Sequence, residues 1–101
     1  MKRRDQTQTP WTLEHSQLFE QKFYRLVDRV DRNALIEAYG IFERIVCRDP
    51  RQAGEQHLSV EALWIYQTPP IMRLPNIVVS YTIDDEKGVV RAWSIDLLDP
   101  N

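Results

Sequence analysis

Two histidines, one cysteine and a run of three acids are the side chains of this sequence best suited to chemistry. A single imidazole can serve as general acid or base near neutral pH. His15 sits near the end of a strand candidate and His57 in a polar loop, so both read as surface residues at element boundaries. Cys47 lies between Arg44 and Arg48, cations that would favour a reactive thiolate. Its place beside an apolar helical stripe makes it small buried filler instead. Asp84-Asp85-Glu86, followed by Lys87-Gly88, lacks the ligand spacing of a calcium loop and reads as a solvated hairpin turn. One cysteine forms no disulfide within the chain, and without Cys-X-X-Cys a zinc site is not expected. Lys22, Arg25, Arg29 and Arg32 recur at helical spacing, but Glu20, Asp28 and Asp31 interleave them, which describes a self-paired solvent face. No phosphate loop, Ser-His-Asp arrangement or HExxH occurs, and no cofactor or metal is implied.

The elements that must position these residues belong to one small domain. A chain of 101 residues, 43% hydrophobic, with ten aromatic side chains, is large enough for one core and too small for two. Whole-chain disorder is excluded by the same figures. The longest apolar runs are far short of a membrane span, and MKRRDQTQTP carries no apolar region after its charges, so neither a span nor a secretory leader is expected and the cytoplasm is the expected compartment. Net charge is −2, distributed as +2 over residues 1–51 and −4 over 52–101. That balance provides no stripe able to neutralise phosphates, which argues against autonomous nucleic-acid binding.

Residues 1–9 read as a flexible polar arm, 10–98 as the domain and 99–101 as a tail. Trp11 to His15 alternates as an edge strand, and Ser16 is a good N-cap. Phe19, Phe23, Leu26, Val27 and Val30 then follow helical spacing. Asp31 caps a second helix carrying Leu35, Tyr39, Phe42, Ile45 and Val46, ended by Asp49-Pro50. Arg51 to Ser59 reads as a loop. Beyond it the period becomes two: Ala62–Tyr66, Ile77–Ile83 and Val89–Leu97 are strands, the last two joined by the acidic turn. The order β-α-α-β-β-β predicts an α+β two-layer sandwich, an antiparallel sheet with a helix hairpin on one face.

Tyr81-Thr82-Ile83 entering Asp84-Asp85-Glu86-Lys87-Gly88-Val89-Val90, with Ser94-Ile95 later in the last strand, resembles the RelE/ParE superfamily of toxins from type II (plasmid stabilisation) toxin–antitoxin systems. Asp49-Pro50-Arg51-Gln52-Ala53-Gly54 and Trp11 to Ser16 leading into Phe19 are similar to its helix-ending loop and its first strand. The resemblance implies an antitoxin partner and either ribosome-dependent mRNA cleavage or gyrase poisoning. Cleaving members carry an arginine three residues before the strand tyrosine, where this chain has Val78, and another just past the last strand, where it has Leu98. Their second-strand lysines are absent from Trp64 to Thr68, and their C-terminal tyrosine has no counterpart.

If Ile77, Val79, Tyr81 and Ile83 face the helices, then Val78, Ser80 and Thr82 lie on the open face, and the last strand adds Val90, Ala92, Ser94, Asp96 and Leu98. A face without cations leaves phosphoryl chemistry without charge stabilisation. The expectation is a toxin-like protein that works by binding, with Val78, Ser80, Thr82, Ala92 and Ser94 as its docking surface for an antitoxin or for a second copy in a homodimer. The alternatives are a diverged mRNA endonuclease using Arg73, Arg91 and Tyr66, and an inactive relative that serves only as a binding module.

Overall fold

The computed structural model describes residues 11–69 and 73–98; the arm at 1–9 and the tail at 99–101 lie outside the described residues. Its elements are β1 (Thr12–His15), α1 (Gln17–Val27), α2 (Arg32–Arg48), α3 (Pro50–Ala53), β2 (Glu55–Gln56), β3 (Trp64–Gln67), β4 (Ile77–Asp84) and β5 (Val89–Leu97). One sheet results, in the order β1-β5-β4-β3-β2, with the helices packed on one side. The expected two-layer α+β sandwich is therefore the fold found.

Both helix starts follow from local chemistry. Ser16 Oγ accepts from the Phe19 N–H at 3.0 Å, and Asp31 Oδ2 accepts from the Ala34 N–H at 2.9 Å, so each cap satisfies a backbone donor the helix cannot. Ser16 also ties helix to sheet, its hydroxyl donating to the Trp93 carbonyl at 2.9 Å. Leu35, Ala38, Phe42 and Val46 bury one stripe of α2 against Tyr66, Ile77, Val79, Tyr81 and Ile95. The Phe42 ring centroid lies 4.9 Å from that of Tyr66 and 5.9 Å from that of Tyr81.

Two features depart from the sequence reading. The first strand joins at the expected edge but runs parallel to β5, so the sheet is mixed. β1 pairs only Val89 to Ala92; α1 packs along β5, and Lys22 reaches Asp96 beyond the paired stretch at 3.1 Å. A strand edge left by β1 is thus covered by a helix. The segment expected as loop contains α3 and β2, of four and two residues, too short to declare a period. Gly54 between them is obligatory: a Cβ there would stand 2.5 Å from the Ile65 carbonyl oxygen and 2.6 Å from the Tyr81 hydroxyl. That hydroxyl donates to the Pro50 carbonyl at 2.6 Å, fastening α3 to the sheet. Among the described residues, no helix is long and apolar enough to cross a membrane.

Candidate functional site: the open face of the sheet

Alternation along β4 buries Ile77, Val79 and Tyr81 and leaves Val78, Ser80 and Thr82 on the far side from the helices. Val78 pairs with Asp96, Ser80 with Ser94 and Thr82 with Arg91. Tyr81 pairs with Ala92, so Trp93 is an extra residue opposite the Ser80/Tyr81 step, a β-bulge. The bulge reverses the parity of β5 across it. Ser94 and Asp96 lie on the open face as expected, but Val90 and Ala92 do not: both are fully buried against the helices. Arg91 moves the other way, onto the open face. Ala92 is accordingly no part of a docking surface, and the expectation of a face without cations is corrected. Leu98 lies past the strand, half-exposed, its N–H donating to the Asn76 carbonyl at 2.8 Å.

Among the described residues, Arg91 is the only lysine or arginine in the five strands. It is not free. Its guanidinium lies 3.3 Å from Glu14 Oε1 of β1 and 5.0 Å from the Trp93 ring centroid. The Trp93 indole N–H donates to Thr82 Oγ1 at 2.9 Å, and Ser80 and Ser94 share a hydroxyl hydrogen bond of 2.6 Å. Register and alternation put Glu14, Glu55, Asp84 and Asp96 on this same face, so acids outnumber its one strand cation, although Asp96 is paired with Lys22 of α1. A cleft of about 260 Å³ opens at the hairpin end, lined by Glu14, Thr82, Asp84, Lys87, Val89 and Arg91.

The three residues proposed for catalysis do not meet. Tyr66 pairs with Val79 and shares its helix-facing side; it is buried, its hydroxyl has no hydrogen-bond partner, and burial pushes its phenol pKa up. Arg73 is exposed in the β3–β4 connection, before Ile77 at the start of β4, whereas Arg91 opposes Thr82, five residues further along that strand.

Other chemistry-bearing residues have structural work. Arg51 grips Asp85 through two hydrogen bonds of 2.9 Å, which hold the Asp85 carboxyl below its ordinary range. Among the described residues no group of His, Cys, Asp and Glu could hold a metal ion. Cys47 is half-buried, and burial, then Glu43, pushes its thiol pKa up, away from a reactive thiolate. His57 Nδ1 accepts from the Ser59 and Val60 N–H groups at 3.0 Å. His15 is not the boundary surface residue expected: it points to the helix side, stacks on Phe19 with centroids 4.6 Å apart, and its Nε2 hydrogen-bonds the Tyr39 hydroxyl. The residues the sequence reading missed are Glu14, Lys87 and Trp93. The available signal was Leu13-Glu14-His15, whose alternation already puts Glu14 on the face opposite the half-buried Leu13 and His15.

This arrangement of elements has been seen before. The fold is that of a chain from a toxin–antitoxin complex. The solved structure is RelBE2 from Mycobacterium tuberculosis, which aligns over 92% of this chain and 97% of its own with a TM-score of 0.64 and 19% sequence identity. No protein-family model and no curated protein matches the sequence. The RelBE2 likeness agrees with the resemblance read from the sequence, and at this identity it is a likeness of fold; the chemistry has to be argued from this chain's own side chains.

Proposed function

We propose that this chain is the toxin-like component of a type II toxin–antitoxin pair and that it works by binding protein, its open sheet face being the surface an antitoxin covers. The observation that carries this reading is the charge of that face. Its one strand cation, Arg91, is occupied by Glu14 and Trp93, Asp96 is paired with Lys22 of α1, and Glu55 and Asp84 are the acids left without an ion pair among the described residues. Such a surface offers a phosphate backbone no uncommitted strand cation. Its short side chains, Val78, Ser80, Thr82 and Ser94, offer a shallow bed for a partner's helix or strand. The fold shared with a toxin–antitoxin complex supports the same partner class.

A second reading, a diverged ribosome-dependent mRNA endonuclease, is favoured by one observation. Arg91 and Lys87 line the same open-face cleft, so a substrate that displaced Glu14 would meet two cations there.

Induced expression in a bacterium without an antitoxin, followed by viable count and mapping of ribosome-associated mRNA ends, tests both. Loss of viability without new mRNA ends is the expected result. Cleavage within the decoding site, abolished by Arg91→Ala, overturns the binding reading in favour of the nuclease. Full viability at confirmed expression removes toxicity and reduces the chain to a binding module.

A further inference from the structure

On the helix side of the molecule, away from the open face, a cleft of about 310 Å³ lies between α1 and α2, lined by His15, Phe19, Glu20, Phe23, Tyr24 and Tyr39. Its floor is a continuous aromatic cluster. His15 stacks on Phe19, Phe19 lies 6.2 Å from Phe23, and Tyr39 tilts against all three at 5.5 to 5.8 Å. Tyr24 stands 72% exposed at the rim, which opens the cleft to solvent.

Phe19 belongs to the core and Phe23 and Tyr39 pack against it, while the side of the cluster that faces the cleft is open and its electrostatics are one-sided. Glu20 belongs to the lining, and the charge of Glu43 is felt at both His15 and Tyr39. Neither carboxylate has a salt-bridge or side-chain hydrogen-bond partner among the described residues, and no lysine or arginine lines the cleft. Burial lowers the His15 pKa despite both acids, so the imidazole supplies no compensating charge at neutral pH. Aromatic surface with an unpaired carboxylate beside it is complementary to a cation carried on an apolar stem.

We propose that this cleft receives an arginine side chain presented by a protein partner. Arginine fits the two halves of the site at once: its methylene stem packs on Phe23 and Tyr24 while its planar guanidinium meets aromatic surface and donates to the Glu20 carboxylate. The site is an open groove between helices, the geometry in which one side chain of a docked chain can anchor. The inference is independent of the toxin-like reading, since it uses none of the open face.

The test is an NMR titration of the whole chain, following backbone amides throughout together with ring protons of Phe19, Phe23 and Tyr39. The probes are N-acetyl-arginine methylamide, its neutral isostere N-acetyl-citrulline methylamide, and guanidinium chloride at matched low concentration. The arginine probe is expected to saturate in the millimolar range, about tenfold tighter than citrulline, as one charge-assisted hydrogen bond requires. Glu20→Gln removes that advantage while lowering Tm by only a few degrees, because Glu20 is exposed and its remaining role is the favourable charge in the first turn of α1. Equal responses to arginine and citrulline, or no saturation, overturn the proposal. Guanidinium chloride binding as well as the arginine probe overturns the side-chain source, because the stem then contributes nothing. Shifts centred on Asp84 or Asp96 overturn the location.

Discussion

The side of the sheet beneath the helices and the side away from them are built by alternate residues of the same strands, yet their chemistry has little in common. Beneath the helices Tyr66, Ile77, Val79, Tyr81, Val90, Ala92 and Ile95 share one core with Phe42, nearly all fully buried. On the other side Ser80 bonds Ser94, Thr82 bonds Trp93, and Arg91 is held by Glu14. The first set is constrained by packing, where a methylene too many or too few is felt. The second is constrained only by what touches it. The fold can therefore be shared at 19% identity while the exposed face is free to vary.

Truncating the helix side is expected to be the most damaging experiment. Phe42→Ala empties the place where α2 meets Tyr66 and Tyr81, and should cost about 3–5 kcal/mol. Thermal unfolding should then move Tm down by roughly 15 °C or more. A change of only a few degrees would mean that α2 is not the lid of this core. Gly54→Ala comes next, at about 1–3 kcal/mol, because its Cβ collides with the Ile65 carbonyl and pushes the Tyr81 hydroxyl off Pro50. Tyr81→Phe in the Gly54→Ala background separates the two causes: if the lost hydrogen bond is the main cost, the second substitution adds little.

These positions also mark what was legible beforehand. The β4 alternation of Ile77, Val79 and Tyr81 against Val78, Ser80 and Thr82 is unambiguous, and it orients the whole sheet. The caps at Ser16 and Asp31 are equally plain because a short polar side chain before an apolar period has few other uses. β5 misled because Trp93, Ile95 and Leu97 share a parity, which makes that parity look apolar along its whole length and carries Arg91 with it. The bulge is written only in the step from Ala92 to Ile95, three residues where an unbroken strand allows two or four. Glu14 and Arg91 stand far apart in sequence and meet only because β1 runs parallel to β5, which no local pattern declares.

A milder probe is pH. His15 has its pKa lowered by burial, with Glu20 and Glu43 opposing, so the unfolded chain binds its proton more readily than the folded one. Its contribution to stability is complete above the ordinary value of 6.5 and is lost as pH falls from there through the folded value. Urea unfolding midpoints between pH 7.5 and 5 should decline, and His15→Gln should flatten that slope. Asp85, lowered by its hydrogen bonds with Arg51, acts in a separate window below its ordinary value of 3.8 and leaves this slope unchanged. A slope that survives His15→Gln would assign the titration elsewhere.

The smallest effect on stability is expected at Arg91, and it bears most directly on the contrast between the faces. Its ion pair with Glu14 is 3.3 Å long with both side chains about half exposed, a setting in which such pairs contribute between zero and about 1 kcal/mol and are screened by salt. Packing over Trp93 adds a contact that glutamine retains in part. Arg91→Gln should therefore lower Tm by a few degrees at most, and less at high salt. In viability and antitoxin-binding measurements the same substitution should act strongly if the open face is the working surface, because there it changes the one positive charge the strands possess. A fall in Tm as large as that of Gly54→Ala would mean that the open face is held as tightly as the buried one, and the division of labour between the faces would have to be abandoned.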